Sequence, residues 1–294
     1  MPYQKQTFLP HPSVKQKPLH ASIFPLEPIP YTSPMLYFLY LILLLLLWRT
    51  VFWNPRKLSG VTRQPPLLLG HRGVRGERPE NTIEAFQLAF ESGLDGIECD
   101  VQRTRDGELI LFHDFEIQGK KVNTLEYPHL KSIDPRIPRV SELLDLAKQY
   151  PGTLLNLELK SEGLRTDGLE RYTLHLVKQY GMADRVVVSS FNPVSLLRVR
   201  LLDPKVRTGL LYSPDMPRFL RTGLLAGWLH VDALHPYFGQ IDQKMLISAH
   251  KRGLMVNTWT VNDEMRISSL SSLGVDAIIG DSPTALLSGR ARHR

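Results

Sequence analysis

From residue 67 to residue 280 the sequence alternates short apolar runs with amphipathic ones, and no other feature restricts the fold as tightly. Runs with the composition of strands fall at 67–69, 96–103, 153–160, 186–190, 208–212, 232–235, 254–260 and 276–280. Helix patterns lie between them. The first is capped by Asn81, has Glu84 three residues on as its capping-box partner, and stops at Gly93. Others open at Ser141, end near Tyr180, start at Pro193, and cover 242–252 and 263–273; residues 216–228 are partly helical. An Asp106-Gly107 turn folds a returning strand, 108–113, onto the second run, and 115–139 shows no regular period. Each helix carries the chain back to the end where the previous strand began, so the strands pair in parallel. Eight such units predict an α/β fold, a closed (β/α)8 TIM barrel. An open doubly wound sheet shares the alternation, but the Gly-rich dinucleotide fingerprint is missing.

In a barrel of this kind the reactive groups sit at the C-terminal ends of the strands. The stretch 70–114 concentrates them: His71 and Arg72 directly follow the first strand, and His113 ends the returning strand. Along the second strand Glu98, Asp100 and Gln102 share one face by the period of two, leaving Ile97, Cys99 and Val101 toward the helices. Along the third barrel strand Asn156, Glu158 and Lys160 share a face, opposite Leu155, Leu157 and Leu159. Inward acids are costly unless paired or metal-bound. Glu98, Asp100 and Glu158 form an oxygen set with no sulfur, which suits a hard divalent cation, Mg²⁺ or Ca²⁺, better than zinc. The alternative is an inward salt-bridge network, Glu158 with Lys160 or Arg72. His71 and His113 flank the acids as a candidate acid/base pair. Arg72 and Lys160 are candidate phosphate clamps, the first a fork, the second a point charge. Glu80 either orients Arg72 or a bound water, or complements a helix N-terminus. Trp259 either walls an apolar part of the substrate or simply fills the barrel. Together these groups indicate a metal-assisted phosphate site.

Upstream of the barrel, residues 1–34 are Pro-rich and without period, as in a flexible tail. Residues 35–48 carry no charge, and with Arg49 near one end the apolar stretch extends to Trp53. Tyr37 and Tyr40 at one end and Trp48 and Trp53 at the other have the distribution of interfacial belts. The expectation is a single uncleaved transmembrane helix over 35–53, then a linker at 54–66, the catalytic domain at 67–288 and a basic tail at 289–294. Arg49, Arg56, Lys57 and Arg63 follow the helix, so the positive-inside rule favours a cytoplasmic catalytic domain. Residues 1–66 hold seven of the 36 Lys and Arg but one of the 29 acids, so the arm carries +6 of the net charge of +7 and the rest of the chain is near neutral. That excludes a nucleic-acid-binding face, which needs basic residues clustered on the fold. Cys99 is the only cysteine, so no intrachain disulfide can form.

The motifs G-H-R-G, P-E-N-T, E-C-D-V, F-H-D, N-L-E-L-K, W-T-V-N and G-D-S-P occur in that order over the barrel. In this the chain resembles the glycerophosphodiester phosphodiesterase family. The resemblance implies a TIM barrel that uses a divalent cation to cut glycerophosphodiesters into an alcohol and sn-glycerol 3-phosphate. It implies His71 and His113 as general acid and base, Glu98, Asp100 and Glu158 as metal ligands, and Arg72 and Lys160 as phosphate contacts. In the mechanism it implies, a glycerol hydroxyl is the internal nucleophile and water then opens the cyclic phosphate. The chain departs from the family where Ser282 follows Asp281 in place of a frequent aromatic, and where the insertion at 115–139 is short, so the leaving alcohol stays open. With a membrane anchor, a lysophospholipid is a second expected substrate beside a soluble glycerophosphodiester. Two rivals are a phosphatidylinositol phospholipase C-like barrel and a catalytically inactive, membrane-anchored one.

Overall fold

The structure, a computed structural model, describes residues 33–51 and 53–292, without the side chains of 48–51. The tail expected at 1–34 lies outside the described residues as far as residue 32, as do the side chains of Trp48 and Arg49 and the last two residues of the basic tail. The chain divides into two units, residues 1–44 and 45–294.

A helix does form over Pro34–Val51, and its apolar side chains from Met35 to Leu45 are exposed. The transmembrane helix expected over 35–53 is not supported: among the described residues no helix is long and apolar enough to cross a membrane. Eighteen residues rise about 27 Å, short of the roughly 30 Å hydrocarbon core. Trp53 is not part of the helix. It stacks on His230 with ring centroids 4.5 Å apart and donates from Nε1 to the Val231 carbonyl at 3.1 Å. The following residues pack similarly against the N-terminal end of the barrel. Arg56 reaches the buried Asp232 at 3.1 Å, Arg207 donates to the Lys57 carbonyl, and Leu58 and Val61 lie against the lowest interior layer.

The strands are β1 (Leu67–Gly70), β2 (Gly96–Arg103), β3 (Leu109–Leu111), β4 (Glu116–Ile117), β5 (Lys120–Lys121), β6 (Leu154–Leu159), β7 (Val186–Ser190), β8 (Arg207–Tyr212), β9 (Ala233–Pro236), β10 (Met255–Thr258) and β11 (Ala277–Gly280). Eight of them, β1, β2 and β6 to β11, run parallel, and β1 pairs with both β2 and β11, so the expected (β/α)8 barrel is closed. β3 returns antiparallel on β2, and β4 pairs only with β5.

The alternation of β2 and β6 sorts their side chains as their sequence demands. Ile97, Cys99, Val101, Leu155, Leu157 and Leu159 enter the outer core with helix residues such as Ala85, Phe86, Leu143 and Leu144. Burying a side chain like that of Phe86 contributes about 1.5–3 kcal/mol. Inside the barrel, Leu67, Leu69, Leu154, Val187, Ala277 and Ile279 form an apolar layer, and the polar residues of β2 and β6 lie on the inner face above it.

Three local expectations are corrected. The first barrel helix, Ile83–Glu91, is capped by Thr82, whose side chain accepts from Ala85 N; Asn81 instead sits at φ 56° and turns inward. Residues 115–139 are not irregular: they hold the β4–β5 hairpin, a 3₁₀ turn at Val122–Thr124 and a helix at Tyr127–Ile133, each too short to show a period. The basic end of the chain continues the helix Pro283–Ala291, where Arg290 pairs with the buried Asp95 and Arg292 with Glu264.

Candidate active site

The site begins where β1 ends. A Cβ on Gly70 would lie 1.9 Å from the Gly73 carbonyl, so only glycine permits the tight turn that follows. In that turn Arg72 adopts φ 49°, a strained conformation for a non-glycine residue. The turn aims His71 and Arg72 at the mouth of the barrel. His71 N donates to the Gly280 carbonyl at 2.8 Å, which fixes the residue against β11. Its ring nitrogen Nδ1 lies 2.7 Å from Asp281 Oδ1, and Nε2 lies 4.0 Å from Glu98 Oε2. Asn262 Nδ2 donates to Asp281 Oδ2 at 2.6 Å, and Arg75 Nε is 3.6 Å from Oδ1. Burial pushes the Asp281 carboxyl up, but the hydrogen bonds to His71 and Asn262 and the nearby positive charge outweigh it, so it lies below the usual carboxylate range.

The register of β2 and β6 sets Asp100 beside Glu158 and Glu98 beside Asn156. Ligand oxygens of Glu98, Asp100 and Glu158 fall within 4.8 Å of one another, all on buried residues. Arg72 backs them: its N donates to Glu98 at 3.0 Å, Nε is 3.2 Å from Asp100, and Nη1 donates to Glu80 at 2.8 Å. Lys160 Nζ lies 3.3 Å from Glu158 and 3.6 Å from Asp100. Asn81 closes the back, donating to Asp100 Oδ2 at 2.9 Å and accepting from Asp100 N at 3.1 Å.

Burial, reinforced by the neighbouring carboxylates, raises the Glu98 carboxyl well above its ordinary value. The same causes push Glu158 up to about 7, Asp100 being its charged neighbour. Arg72 and Lys160 compensate two of the three negative charges. A divalent cation would satisfy the remainder, and the donor set is the hard-oxygen one such ions prefer. Asn156 also lines the cavity with both side-chain polar atoms buried and unpaired, as expected beside a ligand. The residues therefore fit a divalent cation.

His113 stands on the opposite flank. Its Nδ1 is 2.7 Å from Asp114 Oδ1, and Gln102 Nε2 holds its loop through the carbonyls of Phe112 and Asp114 at 2.8 and 2.7 Å. Burial is the largest influence on His113 and lowers its pKa, with Lys160 and Arg72 adding to the effect against Asp100.

His71, Arg72, Glu98, His113, Glu158, Lys160 and Trp259 all line one cavity of about 150 Å³. Asp100 lies just behind it, bound by Arg72 and Lys160, and Glu80 joins through Arg72. Trp259 is fixed by a bond from Nε1 to the His235 carbonyl at 2.8 Å and meets Phe191 edge-on at 5.4 Å. Every residue singled out in the sequence is thus brought to one place.

The sequence reading placed Asn156 on the inward face but missed Asp281, Asn81 as an internal partner, and Phe191. Asp281 had a usable signal: in a closed barrel the residue after the last strand must neighbour the residue after the first, and Gly70 is in register with Gly280. Phe191 had none, being one apolar residue after an apolar strand.

Comparison with known proteins agrees with this geometry. A model of the glycerophosphoryl diester phosphodiesterase family matches residues 71–285. A glycerophosphodiester phosphodiesterase of Caldanaerobacter subterraneus subsp. tengcongensis is 33% identical over 244 residues, covering 75% of this chain and 96% of the relative. One from Bacillus altitudinis is 32% identical over 239 residues, covering 74% and 94%. Among solved structures, an Oleispira antarctica phosphodiesterase in complex with the product sn-glycerol-3-phosphate superposes with a TM-score of 0.68 at 27% identity, covering 77% of this chain and 97% of that one.

Proposed function

The chain belongs to the glycerophosphoryl diester phosphodiesterase family and is a glycerophosphodiester phosphodiesterase; on that premise we propose which groups perform the hydrolysis, and on what. The proposed substrate is a glycerophosphodiester and the proposed products are an alcohol and sn-glycerol 3-phosphate, the latter being the product bound in the Oleispira antarctica relative. Glu98, Asp100 and Glu158 would hold a divalent cation, Mg²⁺ or Ca²⁺, which would neutralise the carboxylates and polarise a phosphoryl oxygen. Arg72 and Lys160 bind the phosphate oxygens, Glu80 orients the Arg72 fork, and Trp259 walls the glycerol.

Each imidazole donates a hydrogen bond from Nδ1–H to a carboxylate, His71 to Asp281 and His113 to Asp114, which leaves both Nε2 atoms for the substrate. His113, held neutral by its burial, is the general base. It takes the proton of a glycerol hydroxyl as that oxygen bonds to phosphorus. The ester bond to the leaving alcohol breaks, and a proton carried on His71 Nε2 at the start of the cycle passes to the departing oxygen. Water then opens the cyclic phosphate with the two roles reversed.

The observation that carries this reading is the convergence of three buried carboxylates from two adjacent strands between two carboxylate-oriented imidazoles. The test is product analysis on a panel of glycerophosphodiesters, with EDTA and then metal add-back. Formation of sn-glycerol 3-phosphate that stops with EDTA and returns with Mg²⁺ or Ca²⁺ supports it. Turnover untouched by chelation would overturn the metal assignment, and diacylglycerol release from phosphatidylinositol would favour a phospholipase C-like reaction.

A lipid surface is the proposed partner of the helix Pro34–Val51, whose exposed side chains from Met35 to Leu45 are apolar on every side. The basic residues that follow it favour the anionic cytoplasmic leaflet as that surface. A lysophospholipid is then a second proposed substrate. Flotation of the full chain with anionic vesicles tests the attachment, and a chain that stays at the bottom of the gradient would refute it.

A further inference from the structure

A phosphodiester has two arms, and the catalytic cavity of about 150 Å³ holds little beyond the phosphate and one of them. On its Lys160 side lies a second recess of about 380 Å³, which shares Lys160 with it and also takes in Phe115, Lys121, Glu162 and Arg165. Resting on the reaction proposed above, the geometry points to this recess as the site of the leaving alcohol, and to Arg165 as the residue that selects an alcohol carrying a further negative charge, such as a phosphorylated or carboxylated polyol.

The other charges of the recess are committed. Lys121 pairs with Glu162 at 3.3 Å. Arg103 donates to the Asp167 carbonyl at 2.6 Å and lies 4.4 Å from the Tyr172 ring centroid. The Asp167 carboxylate accepts from Leu169 N at 3.0 Å, at the start of the next helix. Arg165 is the one charged group lining the recess that makes no hydrogen bond or ion pair among the described residues. Its loop is nonetheless held: Asn192 Nδ2 donates to the Ser161 hydroxyl at 3.1 Å and the Gly163 carbonyl at 2.8 Å, and the Thr166 hydroxyl donates to Glu170 at 2.5 Å.

The recess is a poor match for a quaternary ammonium alcohol such as choline. Such cations are recognised by cages of aromatic faces. Phe115 is the one aromatic lining the recess, and its ring already faces Lys160 Nζ at 5.3 Å. A third recess, of about 250 Å³, meets the catalytic cavity at His113, but its carboxylates are taken, Glu80 by Arg72 and Asp134 by Arg136. It offers no free charge to choose a head group.

The test compares kcat/KM for glycerophosphoinositol 4-phosphate, glycerophosphoinositol and glycerophosphocholine in the wild type, Arg165→Gln, Arg165→Glu and Arg165→Lys. The wild type should prefer them in that order. Arg165→Gln should lower the ratio of the first substrate to the second about tenfold, mainly through KM, because a charge contact binds ground state and transition state alike. Arg165→Glu should lower the ratio further, and Arg165→Lys should keep most of it. Lyso-lipid counterparts of the same head groups should show the same ratios, since the head group and not the acyl chain meets Arg165. Ratios within about twofold of wild type in the Gln and Glu variants, or glycerophosphocholine as the best wild-type substrate, would overturn the assignment. An Arg165 effect confined to the lyso-lipids would overturn it as well. Failure to hydrolyse any of these diesters would instead sink the parent reaction.

Discussion

Replacing Asp281 with Asn tests the part of the site that depends most on barrel closure. The Asp281 carboxylate accepts hydrogen bonds from His71 Nδ1 at 2.7 Å and from Asn262 Nδ2 at 2.6 Å. An amide has nearly the same shape but only one acceptor. If its oxygen stays with Asn262, its nitrogen faces His71 Nδ1 and forces that atom to accept. The proton of the neutral ring then moves to Nε2, on the cavity side, and the doubly protonated ring loses one of its two acceptors. A hydrogen bond to a charged group is worth about 1.5–3 kcal/mol, so kcat/KM should fall roughly 10- to 100-fold. The assay is initial-rate release of sn-glycerol 3-phosphate from a glycerophosphodiester between about pH 5 and 9, with saturating divalent cation and a thermal melt of each protein. The melt should change little, because packing and the Asn262 bond survive. A variant with wild-type kcat/KM across this range would refute the role given to this pair.

Further outcomes follow from the same geometry. His113→Ala should lower kcat about 10²- to 10⁴-fold with the fold intact, read by initial rates and circular dichroism; an active variant would remove His113 from the mechanism. Glu98 and Glu158 have folded pKa values above their unfolded ones, Glu158 at about 7, so without cation the stability they contribute is present at acid pH and lost as pH rises toward neutrality. Added Mg²⁺ or Ca²⁺ displaces those protons, and the gain in Tm should grow from about pH 5 to pH 8; a gain independent of pH would contradict the linkage. Asn81→Ala removes two bonds to the buried Asp100 and puts alanine, which tolerates the left-handed region less well than asparagine, at φ 56°, which should cost about 2–4 kcal/mol in urea unfolding. Asn81→Gly relieves the backbone term only and should recover part of the loss.

Much of this molecule is legible in its sequence where one strand or one helix decides the outcome. The alternation of Glu98, Asp100 and Gln102 against Ile97, Cys99 and Val101 sends acids inward without reference to any other element, and Asn156, Glu158 and Lys160 repeat the pattern beside them. What could not be read is what depends on distant chain meeting. Asn81 and Glu84 carry the spacing of a capping box, yet Thr82 serves the helix equally well, and a buried Asp100 had stronger need of the Asn81 amide. The apolar run at 35–53 reads as one element, but the aromatic at its end is claimed by His230 and Val231, far along the chain. Asp281 answers to His71 only because the ring closes.

The seam between β1 and β11 has a consequence for how activity returns on refolding. His71 and Asp281 lie on its two sides, 210 residues apart, whereas the three carboxylates come from β2 and β6, which pair with each other directly. A partly folded chain could capture its cation while the last stave of the ring is still loose. Turnover would wait for that stave, so the lag between regained ion affinity and regained hydrolysis would time the final docking event.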